Sequence, residues 1–384
     1  VLALCEKTIT VVVLEGLPQV FCLAPCTAEP TEAEAVKMKK ILKRIHCRAP
    51  VRICDIGGWT DTWFAKYGAV FNIAVTPCVA VEVITDKQEA EERITLHLEN
   101  YNDTYSLTPG KIVYGKHPLI EAAIDSMDIP RDISLDINIF SNAPAGAAVG
   151  TSAAVCVALI GALDALTPGR LTPHEIAVVA HNVETGKLGL QSGVQDQLCS
   201  SYGGINFIHI HSFPHSNVTP VNAAEDLRQE LEKRLALIYI GTPHNSSDVH
   251  KKVIADLGED AGKDPRIEKL RQLAVEARDA LSTGNLETLG QVMNRNTEMQ
   301  HLLHPHLVGE KFAEIIEIAN FFEVSGCKVN GAGGDGGSVT ILGNGDIEKM
   351  KNLLHTLEKK GYDSIPVSLS NHGVRVWNPT MKLI

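Results

Sequence analysis

Between a predicted strand and a strongly apolar predicted helix, residues 144–152 read PAGAAVGTS. Small side chains let a backbone come close to a ligand, and N–H groups at a helix start present partial positive charge to an anion. Thr151 and Ser152 add two hydroxyls able to meet a phosphate oxygen or a magnesium ion. The stretch is not GxxxxGK[ST], because it has no lysine, and it is not GxGxxG, which disfavours a Rossmann dinucleotide site. On its own residues it reads equally well as a tight turn feeding a helix that packs on a sheet. A second glycine cluster, 331–337 (GAGGDGG), precedes another predicted strand. It is either a surface turn using positive φ or a point where the backbone approaches another group. His301, His304 and His306 stand in one run, but their spacing reads as surface or cleft histidines rather than a metal set.

The elements that must position these segments follow from hydrophobic period and breakers. Residues 8–14 and 20–24 read as a possible hairpin, and 31–45 as a helix or linker with Thr31 and Glu34 as a capping box. From residue 47 the texture changes to short strands at 51–56, 69–75, 78–85, 93–98 and 133–140, with a helix over 117–127. Helices are expected at 151–166 and, opening on Pro173, at 173–187. A strand at 205–210 precedes a polar, proline-containing stretch, 212–224, which is the best domain boundary. The second half begins with a strand at 235–240. Helices over 265–282, 285–300 and 307–320, a strand at 338–342 and a last helix over 346–359 follow. The organisation is an extension over 1–45 and two α+β domains, 46–215 and 225–384, with mostly antiparallel strands.

The composition sets limits on function. With 384 residues the chain can bury a sizeable core, and a net charge of -11 gives no support to a nucleic-acid-binding face. A small-molecule partner is expected instead. No run of 18 uncharged apolar residues exists, and Glu6, Lys7, Glu15 and Pro18 break the apolar start, so neither a membrane span nor a secretory leader is expected. Cys 9 is an odd count with no CxxC pair, which points to buried free thiols and a cytoplasmic setting.

Three segments, in order, resemble the motifs of the GHMP kinase superfamily: the galactokinase, homoserine, mevalonate and phosphomevalonate kinases. Residues 49–61 (APVRICDIGGWTD) resemble the first motif in its sugar-kinase form. The glycine pair before Trp59 is closest to the heptose-phosphate kinases and the fucokinase-like branch. Residues 144–152 resemble the second motif and 328–337 the third, so the likeness spans about three quarters of the chain. The resemblance implies a two-domain GHMP kinase fold: an N-terminal domain like ribosomal protein S5 domain 2 and a ferredoxin-like C-terminal domain. It implies ATP contacts at Pro144, Gly146, Ala148, Gly150, Thr151, Ser152, Gly331, Gly333 and Gly334, the last three also shaping the acceptor side and supporting the loop. It implies Mg²⁺ ligands at Ser152 and Glu184, and a catalytic pair of Asp196 with Arg52. Gly58, Trp59, Asp61 and Asn245 would meet the substrate, Asp61 through the sugar hydroxyls.

The departures from the family pattern are specific. Ala148 replaces a glycine, and Val149 and Thr151 replace leucine and serine. Asp335 puts a negative charge in the third motif, so it is expected to point away from a phosphate or to meet a cation. Residues 241–250 (GTPHNSSDVH) resemble a heptose-kinase segment, with His244 or Asn245 in place of its arginine, which weakens a heptose 7-phosphate assignment.

What the residues and the resemblance together predict is a cytoplasmic Mg²⁺- and ATP-dependent kinase, monomer or homodimer, that phosphorylates a sugar or sugar derivative at its anomeric hydroxyl. A kinase for another alcohol, such as mevalonate or homoserine, and a catalytically silent sugar sensor are the alternatives. The ending Thr60-Asp61 argues against the first, and Asp196, Arg52 and Glu184 against the second.

Overall fold

The computed structural model describes residues 43–87, 91–168, 170–241, 253–258 and 261–378. The expected hairpin near the start, most of the 31–45 helix and Asn245 lie outside the described residues. Residues 43–45 are not helical but open the first strand, β1 (Lys43–Ile56). Its first half alternates, with Ile45, Cys47 and Ala49 inward, and its second half is buried on both faces.

The two strands expected at 69–75 and 78–85 are one, β2 (Gly68–Asp86). Pro50 of β1 faces Cys78 and Val51 faces Val75, so Thr76 and Pro77 form a bulge. Proline lacks an N–H to give to the ladder, and the bulge absorbs it without ending the strand. β3 (Ile94–Leu98), β4 (Asp103–Leu107) and β5 (Ser134–Ser141) follow, with α1 (Pro118–Asp125) before β5. β5 pairs with one half of β2, and β6 (Ile205–Ser212) with the other. β3 and β5 run parallel, while the other pairs in this sheet are antiparallel.

α2 (Thr151–Asp164) is buried on nearly all sides and lies against β1 and β2. Its alanines and glycine permit that approach: a methyl group on Gly161 would stand 2.9 Å from Val374. α3 (Pro173–Asn182) is opened by a Thr172–Glu175 capping box and is shorter than expected. Residues Val183–Lys187 continue it as a π turn, with Leu188 N–H on the Val183 carbonyl at 3.2 Å. α4 (Gln195–Tyr202) leads into β6.

The polar stretch after β6 is not simply a linker. His215–Pro220 forms β7, an edge strand paired with β6. Its polarity fits an edge, where one side of the backbone faces solvent.

After α5 (Glu225–Arg234) comes β8 (Leu235–Tyr239), then α6 (Pro265–Ser282), α7 (Leu286–Leu303) and α8 (Glu310–Phe321). β9 (Gly326–Val329), β10 (Ser338–Leu342), α9 (Ile347–Lys359) and β11 (Asp363–Ile365) complete a second sheet in the order β11-β8-β10-β9. With β8 as its first strand that order is 4-1-3-2, the ferredoxin-like split βαβ arrangement. β12 (Arg375–Trp377) returns to the first sheet and pairs with β1. Among the described residues no helix is long and apolar enough to cross a membrane. The described cysteines are free thiols, five of them buried and Cys78 half-buried.

Candidate active site

The glycine-rich loop before α2 is wound by three left-handed residues, Gly146, Ala148 and Gly150, at φ 73°, 56° and 73°. Only glycine visits that region freely; an alanine there costs about 1–2 kcal/mol. Ala148 therefore keeps the backbone course that a glycine would give, under strain. Neighbours hold it. Arg52 N–H donates to the Val149 carbonyl at 2.9 Å, the Arg52 guanidinium donates to the Ala148 carbonyl, and Ser338 Oγ donates to the Ala147 carbonyl at 2.6 Å.

Gly150 is the N-cap of α2, and no side chain caps this end. The first-turn N–H groups of Thr151, Ser152 and Ala153 thus lack intrahelical partners. All three residues line a cleft of ≈ 770 Å³. Its wall combines groups that suit an anion: unpaired first-turn N–H groups, the positive end of a buried helix and two hydroxyls. Thr151 Oγ1 is buried and has no hydrogen-bond partner.

Four carboxylates line the same cleft: Asp55, Asp61, Glu184 and Asp196. Asp196 sits in the first turn of α4 and is held in a fork, Arg52 Nε on Oδ1 at 2.8 Å and Nη2 on Oδ2 at 3.2 Å. Burial works against the Arg52 charge, but Asp196 and then Asp55 outweigh it and hold the guanidinium firmly protonated. Asp61 accepts from Gln195 N–H at 3.1 Å and is 2% exposed. Burial pushes its carboxyl up to about 6, against the pull of that hydrogen bond.

Glu184 rides on the π turn, a distortion that often marks functional positions. Burial pushes it up to about 7, and the Asp196 charge adds to this while Ser192 and Gln197 oppose it. Glu184 also acts on Cys156, one turn along α2 from Ser152, so it looks onto the same helix face. The cleft is thus short of positive charge, because the Arg52 guanidinium is already committed. Among the described residues no cluster of three His, Cys, Asp or Glu could hold a metal alone. Glu184, Ser152 and the orphaned Thr151 hydroxyl fit a hard cation that takes its other oxygens from an anionic ligand, as Mg²⁺ does.

At the floor of the cleft Asp55 belongs to a buried polar pair that sequence reasoning did not single out. Lys328, 0% exposed, meets Asp55 at 3.2 Å, and Asp55 also accepts the Gly331 N–H. Asp55 is the buried tie between the first and third glycine-containing segments. Both residues stand inside the quoted segments; only their meeting across 273 residues was hidden.

Arg52, Trp59, Asp61, Gly146, Ala148, Gly150, Thr151, Ser152, Glu184, Asp196 and Gly331 all line the cleft. Pro144, Gly58, Gly333 and Gly334 do not. Gly58 makes room instead: a methyl group there would stand 3.0 Å from Asp55 and 3.3 Å from Gln195. Gly333 packs on Leu307, whose carbonyl a methyl would meet at 2.0 Å, and Gly334 N–H donates to the same carbonyl at 3.2 Å. Asp335 stands outside the cleft lining, 86% exposed, with its carboxylate 3.3 Å from His306 Nε2. Trp59, at φ 77°, is held almost wholly buried with one edge on the cleft. Tyr114, Pro118, Leu119, Leu188 and Leu190 give the cleft an apolar end.

Residues 118–204 match the family model described as the GHMP kinases N terminal domain. The chain is 28% identical over 343 residues to the bifunctional fucokinase/GDP-fucose pyrophosphorylase of Arabidopsis thaliana, covering 83% of this chain and 31% of that protein. It therefore spans about a third of that relative's length. It is 23% identical to the D-glycero-alpha-D-manno-heptose 7-phosphate kinase of Campylobacter jejuni, covering 88% of this chain and 99% of that one. The solved mevalonate kinase of Methanococcus jannaschii shares the fold, with a TM-score of 0.65, 23% identity and coverage of 87% and 96%.

Proposed function

Because this chain belongs to the GHMP kinase superfamily, we propose that its cleft transfers the γ-phosphoryl group of ATP to a hydroxyl of a sugar or sugar derivative, the anomeric hydroxyl first among them. The observation that carries this reading is the Arg52–Asp196 fork set against the uncapped start of α2. A carboxylate and the anion-binding N–H groups converge where an acceptor hydroxyl would meet a phosphoryl group.

The chain's residues divide the work. Thr151, Ser152 and Ala153 N–H groups bind phosphate oxygens, and the apolar end at Tyr114, Leu119 and Leu188 suits a planar base. Asp196 takes the acceptor proton as the hydroxyl oxygen bonds to phosphorus and the bond to the ADP oxygen breaks. Arg52 orients Asp196 and lends positive charge to the transferring group. Glu184 and Ser152 would hold Mg²⁺, which when bound neutralises charge on the phosphate oxygens. Trp59 offers an apolar surface for a sugar face and Asp61 an acceptor for its hydroxyls, which supports a sugar over mevalonate.

A panel with Mg-ATP and coupled ADP detection tests this: fucose, galactose, mannose, a heptose 7-phosphate, mevalonate and homoserine. Turnover of a sugar is the expected result. Turnover confined to mevalonate or homoserine overturns the sugar reading. Tight sugar binding without turnover points to a sensor.

A further inference from the structure

Asp55 and two cations converge near Gly331. Asp55 Oδ1 is 3.2 Å from Lys328 Nζ, Asp55 Oδ2 accepts the Gly331 N–H at 3.0 Å, and a methyl group on Gly331 would stand 3.3 Å from Arg52 Nη2, whose guanidinium is turned to Asp196. Asp55 itself cannot move. It sits in the irregular stretch of β1 between Ile53 and Ile56, next to Cys54 at φ 56°. That backbone is pinned by Asn330 on Cys54 N–H at 3.1 Å and Asn296 on Gly57 N–H at 2.8 Å. The carboxylate is pinned by Gly331 N–H at 3.0 and 3.2 Å. Lys328 is fixed as well, donating to Gln300 Oε1 at 3.0 Å and to the Val329 carbonyl. Arg52, held by Asp196 and the Ala148 carbonyl, has the one long side chain of the set not bonded to Asp55. A buried carboxylate left without a counter-charge is costly and draws in the nearest cation.

We propose that Lys328 is a positioning residue: by occupying Asp55 it leaves the Arg52 guanidinium to Asp196, and so orients the carboxylate that faces the acceptor. This rests on reading the cleft as a phosphoryl-transfer site, but its structural half can be judged without that reading.

The test is Lys328→Met, and Lys328→Met with Asp55→Asn, each crystallised and assayed with the sugar that the wild-type enzyme accepts. In Lys328→Met the Arg52 guanidinium is expected within hydrogen-bond distance of Asp55, and kcat about 100-fold down, the scale of a small misplacement at a reacting group. The KM for ATP should stay within about twofold. The double variant removes the competing carboxylate charge, so Arg52 should return to Asp196 and kcat should recover at least tenfold. Arg52 still forked on Asp196 in Lys328→Met, or a double variant no better than the single one, overturns the proposal. If Lys328→Met alone does not fold, the double variant decides: kcat within about tenfold of wild type supports the proposal and a larger loss overturns it. A wild-type enzyme inert on every acceptor would sink the transfer reading, while the position of Arg52 would still judge this one.

Discussion

A methyl group placed on Gly150 would stand 3.1 Å from both the carboxylate carbon and one carboxylate oxygen of Asp196. The uncapped start of α2 and the carboxylate held by Arg52 therefore touch with no atom to spare. This contact sets the distance between the parts of the cleft that we propose bind phosphate and accept a proton.

Gly150→Ala should accordingly damage both stability and turnover. The residue is at φ 73°, where a side chain costs about 1–2 kcal/mol, and the added methyl pushes on Asp196. A lowered melting temperature with a loss in kcat larger than the loss in ATP affinity is expected. Unchanged kcat would show that the contact is not part of the chemistry.

Asp196→Asn keeps the shape of the side chain and removes the base. Loss of a general base costs about 10²–10⁴-fold in rate. Steady-state kinetics should show that loss in kcat with little change in sugar KM. Near-normal turnover would remove Asp196 from the mechanism.

Metal binding should depend on pH through Glu184. Its carboxyl is pushed up to about 7 by burial, so Mg²⁺ must displace a proton there below neutrality. Calorimetry in buffers of different ionisation enthalpy should register proton release. The Mg-ATP affinity should fall by up to about tenfold per pH unit below 7. For the unliganded protein the sign is opposite. A carboxyl raised in the folded state stabilises fully below its ordinary value of 4.5 and loses that contribution as pH rises through about 7. Asp61, pushed up to about 6, acts in the same direction. The thermal shift on adding Mg-ATP should thus widen from pH 6 to pH 8, and Glu184→Gln should flatten most of that change.

Ala148→Gly should stabilise, not weaken, the loop. Relief of a left-handed alanine is worth about 1–2 kcal/mol, and the added freedom of the unfolded chain takes back about 0.4–1 kcal/mol. A small rise in melting temperature with an unchanged or lower KM for ATP is expected. A fall in melting temperature would mean that the Ala148 methyl is needed where it packs beside Gly337.

How much of this was legible in the sequence depended on range. The loop at 144–152 and the helix after it follow from local composition, and they emerged as read. β7 was hidden because an edge strand needs no apolar face, and its residues looked like a linker. The π turn under Glu184 was read as plain helix, because nothing in VETGK forbids one. The Asp55–Lys328 pair could not be read at all. Each residue alone looks like a surface charge, and only the meeting of β1 with β9 buries them together.

β12 bears on how the chain comes to be folded. Arg375 to Trp377 lie against Arg48, Cys47 and His46, and Trp377 stacks on His46 with ring centres 5.5 Å apart. During synthesis that edge of β1 emerges some 330 residues before its partner. At about 5–20 residues per second the edge stays open for tens of seconds. An exposed strand edge is a template for pairing with other chains. The sheet that carries Arg52 thus waits for its closing strand until most of this sequence has been made.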